Sequence, residues 1–283
     1  MILNAITWNV NPELFSIGPL TVRWYGLMWA LGIWLCLIIV QKIFQKEKHP
    51  EQWVDKLFIY TVVGTVIGAR LGHCFFYEWT LLDQPFTFLG ITFKYTNKYL
   101  THPWELIAIW QGGLASHGGA IGILISTYFY DKKVSKKGMI WVLDRLVIGA
   151  AVTGALIRFG NLMNSEIYGN ATDMPWGFIF VRAGETQPMH PTQIYEMLYC
   201  LVTFAVLYWL YYKKDAYKKT GLIYGVFLLG IFGTRFLLEF IKLNQEHFEA
   251  GMLLNMGQIL SLPFIVWGIW LLINASKKSV SKT

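Results

Sequence analysis

Seven stretches of mostly apolar residues recur along the chain, at 18–41, 54–78, 115–131, 139–162, 191–212, 220–242 and 256–274. A helix needs roughly 20 such residues to cross the hydrocarbon core of a bilayer, so each stretch predicts a transmembrane helix. The third is the shortest and is rich in glycine. Composition agrees: 55% of the residues are hydrophobic and only 14% are charged, where a soluble domain carries roughly 25% charged residues. That balance excludes an ordinary cytosolic enzyme, a disordered chain and a collagen-like fibre. The expected fold class is an all-α polytopic membrane protein of seven transmembrane helices, forming a single membrane-embedded domain over 1–283. Cys36, Cys74 and Cys200 are far apart in apolar sequence, which excludes a disulfide framework or a thiolate zinc site; they read as small buried hydrophobes.

The net charge of +7 does not indicate a nucleic-acid partner, because the lysines come in short runs between the apolar stretches and no nucleic-acid-binding signature accompanies them. Sorted by connection, fifteen basic residues fall on one side, among them Lys42, Lys132, Lys213 and Lys277. Four fall on the other: Lys94, Lys98, Arg182 and Lys242. Lys and Arg accumulate in cytoplasmic loops, so the N-terminus is expected outside and the C-terminus in the cytoplasm. Residues 1–20 hold no Lys or Arg and so lack the basic region of a cleavable signal.

The cytoplasmic connections are short, whereas the outer ones carry structure. Residues 79–113, with Trp79, Trp104 and Trp110, have the composition of an interfacial arm. Residues 163–190 form an outer head lobe punctuated by Gly and Pro, with a strand expected over Trp176–Arg182. No internal repeat is visible, so the inverted-repeat plan of many transporters has no support.

A charge at the bilayer centre costs roughly 2.5–3.5 kcal/mol on insertion scales, so polar residues within the spans point to a site. Arg23 and Tyr25 lie in the first outer turns of span one, Arg70 near the outer end of span two, and His117 at the start of span three. Arg158 and Asn161 close span four, Glu166 follows, His190 opens span five, and Arg235 and Glu239 lie in the last outer turns of span six. Each has a structural alternative. Arg23 and Arg70 can snorkel to the headgroups, a histidine at a helix start can be a capped structural residue, and Arg235 with Glu239 can be an intrahelical pair. Asp144 and Arg145, near the other end of span four, read as a structural pair. Independent snorkelling would populate both ends of the bundle, yet these residues gather at the outer one.

Two stretches concentrate the chemistry. Trp110–Gly122 packs five glycines around His117; glycine permits close backbone approach, and small residues also pack helices together, which accounts for Gly118, Gly119 and Gly122 but not the histidine. In Arg158–Gly169, Arg158, Asn161 and Asn164 share a helical spacing with Glu166 just beyond, a guanidinium with two carboxamides and a carboxylate that suits a phosphate.

At these residues the sequence resembles the bacterial prolipoprotein diacylglyceryl transferase family, whose signature runs Gly-Arg-x-Gly-Asn-x-x-Asn-x-Glu-x-x-Gly. Here it reads Ile157-Arg-Phe-Gly-Asn-Leu-Met-Asn-Ser-Glu-Ile-Tyr-Gly169, departing only at Ile157. Further matches are Arg23–Gly26, Gly68–Gly72, the His117 stretch, His190–Glu196, Arg235–Glu239 and Leu254–Gln258; Lys242 stands where the family often has arginine. The resemblance implies transfer of the diacylglyceryl group of phosphatidylglycerol to the lipobox cysteine of a prolipoprotein signal peptide, with release of glycerol 1-phosphate, at the outer side of the bacterial inner membrane.

It implies that Tyr25, His117, Arg158, Asn161, Glu166 and Arg235 matter for activity, with Gly169 completing the signature; the expected catalytic set is His117, Arg158, Arg235, Tyr25 and His190. Asn161, Asn164, Glu166, Gly169 and Glu239 join Arg158 and Arg235 in binding substrate, and neither cofactor nor metal is expected. The chemistry asks for such groups: a thiol with pKa about 8.5 must ionise to attack, an imidazole is a suitable base, and arginines stabilise the phosphate that leaves. His117 is the expected base with His190 in reserve. The alternatives are a secondary transporter or channel with an Arg/His-lined site, and a non-catalytic lipid-binding scaffold. A transport site would lie near the midplane, and a scaffold would not need a histidine among glycines.

Overall fold

A computed structural model describes residues 5–18, 20–76, 79–88, 91–108, 113, 115–243 and 253–280. Its strands and helices run in the order β1 (Ile6–Trp8), β2 (Glu13–Ile17), β3 (Leu20–Arg23), α1 (Trp24–Lys46), α2 (Glu51–Phe76), β4 (Trp79–Phe88), β5 (Ile91–Asn97), α3 (Lys98–Thr101), α4 (Ser116–Tyr130), α5 (Met139–Met163), β6 (Phe178–Phe180), α6 (Thr192–Lys213), α7 (Leu222–Leu228), α8 (Thr234–Leu238) and α9 (Met256–Val280). Six helical segments are long and apolar enough to cross a membrane: α1, α2, α5, α6, the run Leu222–Ile241 that contains α7 and α8, and α9.

Two sequence expectations are modified. The third expected span, 115–131, forms the 15-residue α4, about 22 Å at 1.5 Å per residue, and the helix runs on as a π turn over Asp131–Ser135. The far end of that turn is closed by Asp131, whose buried carboxylate accepts the Ser135 hydroxyl and the Lys137 and Gly138 amides at 2.7–3.0 Å. The chain is also not wholly helical: among the described residues β1 pairs with β6 in parallel, while β2–β3 and β4–β5 are antiparallel hairpins.

The chain groups into two compact units, Lys48–Val142 and Met1–Glu47 with Leu143–Thr283. In the first, α2 and α4 pack through small residues at a spacing of four: Gly64, Gly68 and Gly72 against Gly118, Gly122 and Ser126. A methyl group at Gly72 would come to 2.7 Å from Gly118 Cα, and one at Gly68 to 2.8 Å from Gly122 Cα. Added carbons at Gly118 and Gly122 would overlap the carbonyls of Gly68 and Gly64. Without water to drive apolar association in lipid, such backbone contact is what holds two helices together. The arm then attaches through Arg70, whose guanidinium donates to the carbonyls of Leu106 (3.1 Å), Glu105 (2.6 Å) and Gly113 (3.2 Å), and through Asn97, which donates to Cys74 O at 2.6 Å. Those bonds clamp the arm to α2. Residues 89–90 and 109–112 of the expected arm, Trp110 included, lie outside the described residues.

In the second unit α1 and α5 meet at Gly32 and Gly149. Thr153 donates to Gly32 O at 2.8 Å, and Gly149 faces Cys36. Asp144 and Arg145 approach each other only to 4.0 Å, because each has a better partner. Asp144 accepts the Gly221 and Tyr224 amides (2.7 and 2.8 Å) and so caps α7, whose first turn would otherwise leave donors unpaired. Arg145 binds Glu47 at 3.0 Å, and Glu47 also accepts the Tyr211 hydroxyl at 2.7 Å. The strand expected over Trp176–Arg182 forms only over Phe178–Phe180 as β6, and Val181–Ala183 become a 3₁₀ turn. Phe178 and Phe180 pack with Leu162 and Met189, and Trp8 from β1 donates its indole N–H to Leu162 O at 3.0 Å, fastening the lobe to the end of α5.

Close packing at α2–α4 sets a graded expectation. Gly118→Ala and Gly122→Ala should each destabilise the protein by about 2 kcal/mol through overpacking, read as a lower Tm in one fixed detergent. Gly119→Ala, whose new methyl would rest 3.5 Å from Thr65 Cγ2, should leave Tm unchanged or raise it, since alanine is the better helix former.

Candidate active site

The signature begins on α5 and turns back immediately beyond it. Ser165 and Ile167 both have positive φ, 54° and 61°, a conformation that a β-branched residue resists. The strain is held by α6: Thr192 Oγ1 donates to Ile167 O at 2.9 Å, and Gln193 Nε2 donates to Glu166 O at 2.7 Å. The reversal carries the Glu166 carboxylate back over the helix end. Its Oε1 accepts the carboxamide N–H groups of Asn161 (2.8 Å) and Asn164 (3.2 Å). Asn161 presents its oxygen to Arg158 Nη1 at 3.2 Å, the one amide orientation that suits a cation on one side and an anion on the other.

From Arg158 the polar chain continues inward. Its Nε lies 3.1 Å from Glu196 Oε2, and the other Glu196 oxygen lies 3.1 Å from Lys242 Nζ. Lys242 also approaches Glu239 Oε1 at 3.5 Å, and Arg235 Nε reaches the same oxygen at 3.4 Å. Asn255 approaches Glu239 Oε2 at 3.5 Å while capping α9 in a reciprocal pair with Gln258 (2.9 and 3.0 Å). Arg235 reaches this place because the helix carrying it widens to a π turn over Leu229–Gly233, with Gly230 against Thr203. Such an insertion rotates the residues that follow.

The network holds three cations and three carboxylates. The Glu196, Lys242 and Glu239 side chains are at most 4% exposed, whereas Arg158 and Arg235 are each 20% exposed. Each guanidinium is thus fixed from behind and open in front. Arg158 Nη2 and both terminal nitrogens of Arg235 make no hydrogen bond to the described residues. Two forks of unused N–H donors backed by fixed anions suit an oxyanion with several oxygens.

Tyr25 belongs to the same group: its ring and Cα lie against Gly160, between Arg158 and Asn161 on α5, and its phenol is within electrostatic range of Glu166 and Arg158. Gly169 pairs with Lys242 in an isolated β-bridge and donates its amide to His190 O at 2.8 Å. Any side chain there would meet Ile241 O, Thr192 and His190. His190 Nδ1 lies 3.2 Å from the Tyr195 hydroxyl, which accepts Trp176 Nε1 at 2.7 Å. In the lobe nearby, the Tyr168 phenol donates to Glu185 at 2.6 Å; burial first and that carboxylate second push its pKa up to about 12. Arg23 pairs with Glu13 at the surface, 3.7 Å away. His117 lies in the other unit, half-buried in the first turn of α4, whose start is fixed by Ala115 N donating to Ala69 O at 2.9 Å. Gln111, Gly112 and Leu114 of its glycine-rich stretch, like Trp110, lie outside the described residues.

Tyr25, Arg158, Asn161, Asn164, Glu166, Arg235 and Glu239 therefore come together in one unit. Sequence reasoning noted Gln193, Glu196 and Lys242 only as family matches or departures and gave them no place in the site, and it missed Tyr199, which is within electrostatic range of Arg158, Arg235 and Glu196. A carboxylate just over one turn into an apolar span is the signal that would have found Glu196. Lys242 was counted with the outer loops because it follows the last apolar residue.

A polytopic membrane protein with two half-open guanidiniums over a buried ionic network has donors arranged for an anionic group such as a phosphate. The family model for prolipoprotein diacylglyceryl transferase matches residues 12–274, and the chain belongs to that family. It is similar to the phosphatidylglycerol–prolipoprotein diacylglyceryl transferases of Porphyromonas gingivalis (44% identical, over 98% of this chain and 97% of the relative) and Chloroherpeton thalassium (43%, over 97% and 96%). A third relative of that name, from Tolumonas auensis, is 41% identical over 96% of this chain and 98% of its own.

Breaking the buried network should be costly. Glu196→Gln keeps the shape but leaves Arg158 and Lys242 without their shared anion, and a loss of roughly 3–5 kcal/mol is expected, seen as a large fall in Tm. Asp215→Asn, which removes a solvent-exposed ion pair with Lys218, should leave Tm where it is.

Proposed function

We propose that the chain transfers the diacylglyceryl group of phosphatidylglycerol to the lipobox cysteine thiol of a prolipoprotein and releases glycerol 1-phosphate. The observation that carries this reading is the pair of half-open guanidiniums, Arg158 and Arg235. Family membership and the full-length relatives of that name support it.

In this reaction the cysteine thiolate attacks the lipid glycerol carbon that bears the phosphodiester. A C–S bond forms, the C–O bond breaks, and its electron pair stays with the departing glycerol phosphate. The phosphodiester carries one negative charge and the leaving monoester approaches two, so donors aimed at its oxygens bind the transition state more tightly than the substrate. Arg158 and Arg235 take that role. Tyr25 supplies a further hydrogen bond, and Asn161, Asn164 and Glu166 hold Arg158 in place or meet the glycerol headgroup. Gly169 permits the backbone pairing that this requires, and Glu239 orients Arg235. His117 is assigned as the base that ionises the thiol, its imidazole being suited to neutral pH. His190, tied to Tyr195, is the reserve.

We place the protein in the bacterial inner membrane as one membrane-embedded domain with α4 as a seventh, short crossing, the N-terminus outside, the C-terminus in the cytoplasm and the site toward the outer leaflet. The 79–113 arm and the 163–190 lobe would admit the signal peptide. The uneven division of basic residues supports this orientation.

Purified protein, phosphatidylglycerol and a synthetic lipobox peptide test the reading. The unmodified protein should lipidate the peptide, and Arg158→Ala and His117→Gln should each lower the rate by about a hundredfold or more. Full activity in both variants would refute the assignments. Ion or solute flux in proteoliposomes without lipid transfer would favour the transporter alternative.

A further inference from the structure

We infer that Lys242 is a positioning residue that sets the separation of the two phosphate-binding guanidiniums, Arg158 and Arg235. The inference rests on the transferase reading above. Arg158 and Arg235 come from different helices, and each is held through its own carboxylate, Glu196 and Glu239. Among the described residues the ammonium of Lys242 joins the two halves by ion pairs, giving the alternating series Arg158–Glu196–Lys242–Glu239–Arg235 with contacts of 3.1, 3.1, 3.5 and 3.4 Å.

The lysine is placed by the main chain rather than by a ligand. Glu239–Ile241 form a 3₁₀ turn, after which Lys242 becomes extended, with φ −87° and ψ 152°. Its backbone then pairs with Gly169, and Asn170 N donates to Ile241 O at 2.8 Å. The signature segment that carries Glu166 thus fixes where the ammonium sits. With its side chain 1% exposed, Lys242 cannot reach lipid or peptide and can act only through the two carboxylates.

Those carboxylates set the guanidiniums in turn. Without the shared cation, Glu196 and Glu239 repel each other at close range in a medium that screens little, and each draws more tightly on its own arginine. The two forks then move apart and no longer match the oxygens of one phosphate. Misplacement on the scale of 1 Å in an oriented site can lower a rate by about a hundredfold. Each arginine still binds phosphate singly, so ground-state affinity suffers far less than the chemical step.

The test uses full-length protein in detergent with phosphatidylglycerol and lipobox peptide. Lys242→Met should lower kcat by about a hundredfold while KM for the lipid changes by less than about threefold. Lys242→Arg, which restores a cation, should recover kcat to within about tenfold of the unmodified protein. In a double-mutant cycle, Arg235→Ala should be at least about tenfold less damaging in the Lys242→Met background than alone; a merely structural lysine would leave the two effects additive.

Should Lys242→Met fail to give a monodisperse, cooperatively melting protein, Glu239→Gln, which loosens the same link at unchanged size, is expected to show the same kcat-selective loss. Folded Lys242→Met, or Glu239→Gln in its place, with kcat within threefold of the unmodified protein, or an additive cycle, overturns the role of Lys242 alone. An unmodified protein that transfers nothing overturns the transferase reading, and the role of Lys242 with it.

Discussion

Six ionisable side chains stand together at one place among mostly apolar helices, and they can do so only because the charges alternate. Transferring one uncompensated charge into a low-dielectric interior costs several kcal/mol even after relaxation. Here every carboxylate touches at least one cation or donor amide, and each cation touches a carboxylate or the carboxamide that leads to one. Glu196 and Glu239 each contact two cations, and Glu166 is held by two carboxamide N–H donors, one of which, Asn161, links it to Arg158. Glu196 and Lys242 are the inmost members and tolerate no gap. The two arginines, at the open end, can leave donors unused because water or substrate reaches them.

That arrangement dictates much of the surrounding backbone. Glu166 must face back toward the helix that it follows, which forces the left-handed residues Ser165 and Ile167 and in turn the hydrogen bonds from Thr192 and Gln193 that hold them. Gly169 and Gly257 are glycines for a related reason. A side chain at the first would overlap Ile241 O, and one at the second would overlap the Glu239 carboxylate. Strain of this kind persists only where the neighbourhood over-determines it, and here it does so from α5, α6 and the segment around Lys242 at once.

What could be read from the chain alone follows the range of the interactions. Five of the seven apolar stretches became single helices long enough to span, because hydropathy over twenty residues is a local property; 220–242 did so with a π turn inside it. The Trp176–Arg182 strand was legible from β-branched and aromatic residues between turn formers, although its parallel partner Ile6–Trp8 was not, since the pairing joins positions about 170 residues apart. The third stretch became α4, but its continuation as a π turn to Ser135, closed by the Asp131 carboxylate, was not visible in its hydropathy. The polar set on α5 and in the last outer turns of span six was visible from the expense of charge in lipid. Lys242 was not, because its burial depends on a backbone bridge to Gly169 that no linear count of loop charges contains. Asp144 and Arg145 look like neighbours in sequence, yet successive residues on a helix point about 100° apart, and each found its partner on a different element.

A neutral ionic network is well matched to a reaction in which negative charge grows on one group. Free arginines in water would bind the phosphodiester and then have to reorganise their solvent shell as the leaving phosphate developed its second charge. In the proposed reaction, arginines already oriented by Glu196 and Glu239 would have no such reorganisation to complete, so the added charge would meet dipoles and cations that are in place before the C–O bond lengthens. On that proposal the carboxylates would lower the net field that the ground-state lipid feels, while the free N–H donors of Arg158 and Arg235 would respond most strongly to short contacts with the fully developed oxyanion. Interactions that strengthen only along the reaction coordinate accelerate it, and a pair of cations balanced from behind is a way of obtaining that difference without binding every anionic lipid in the leaflet.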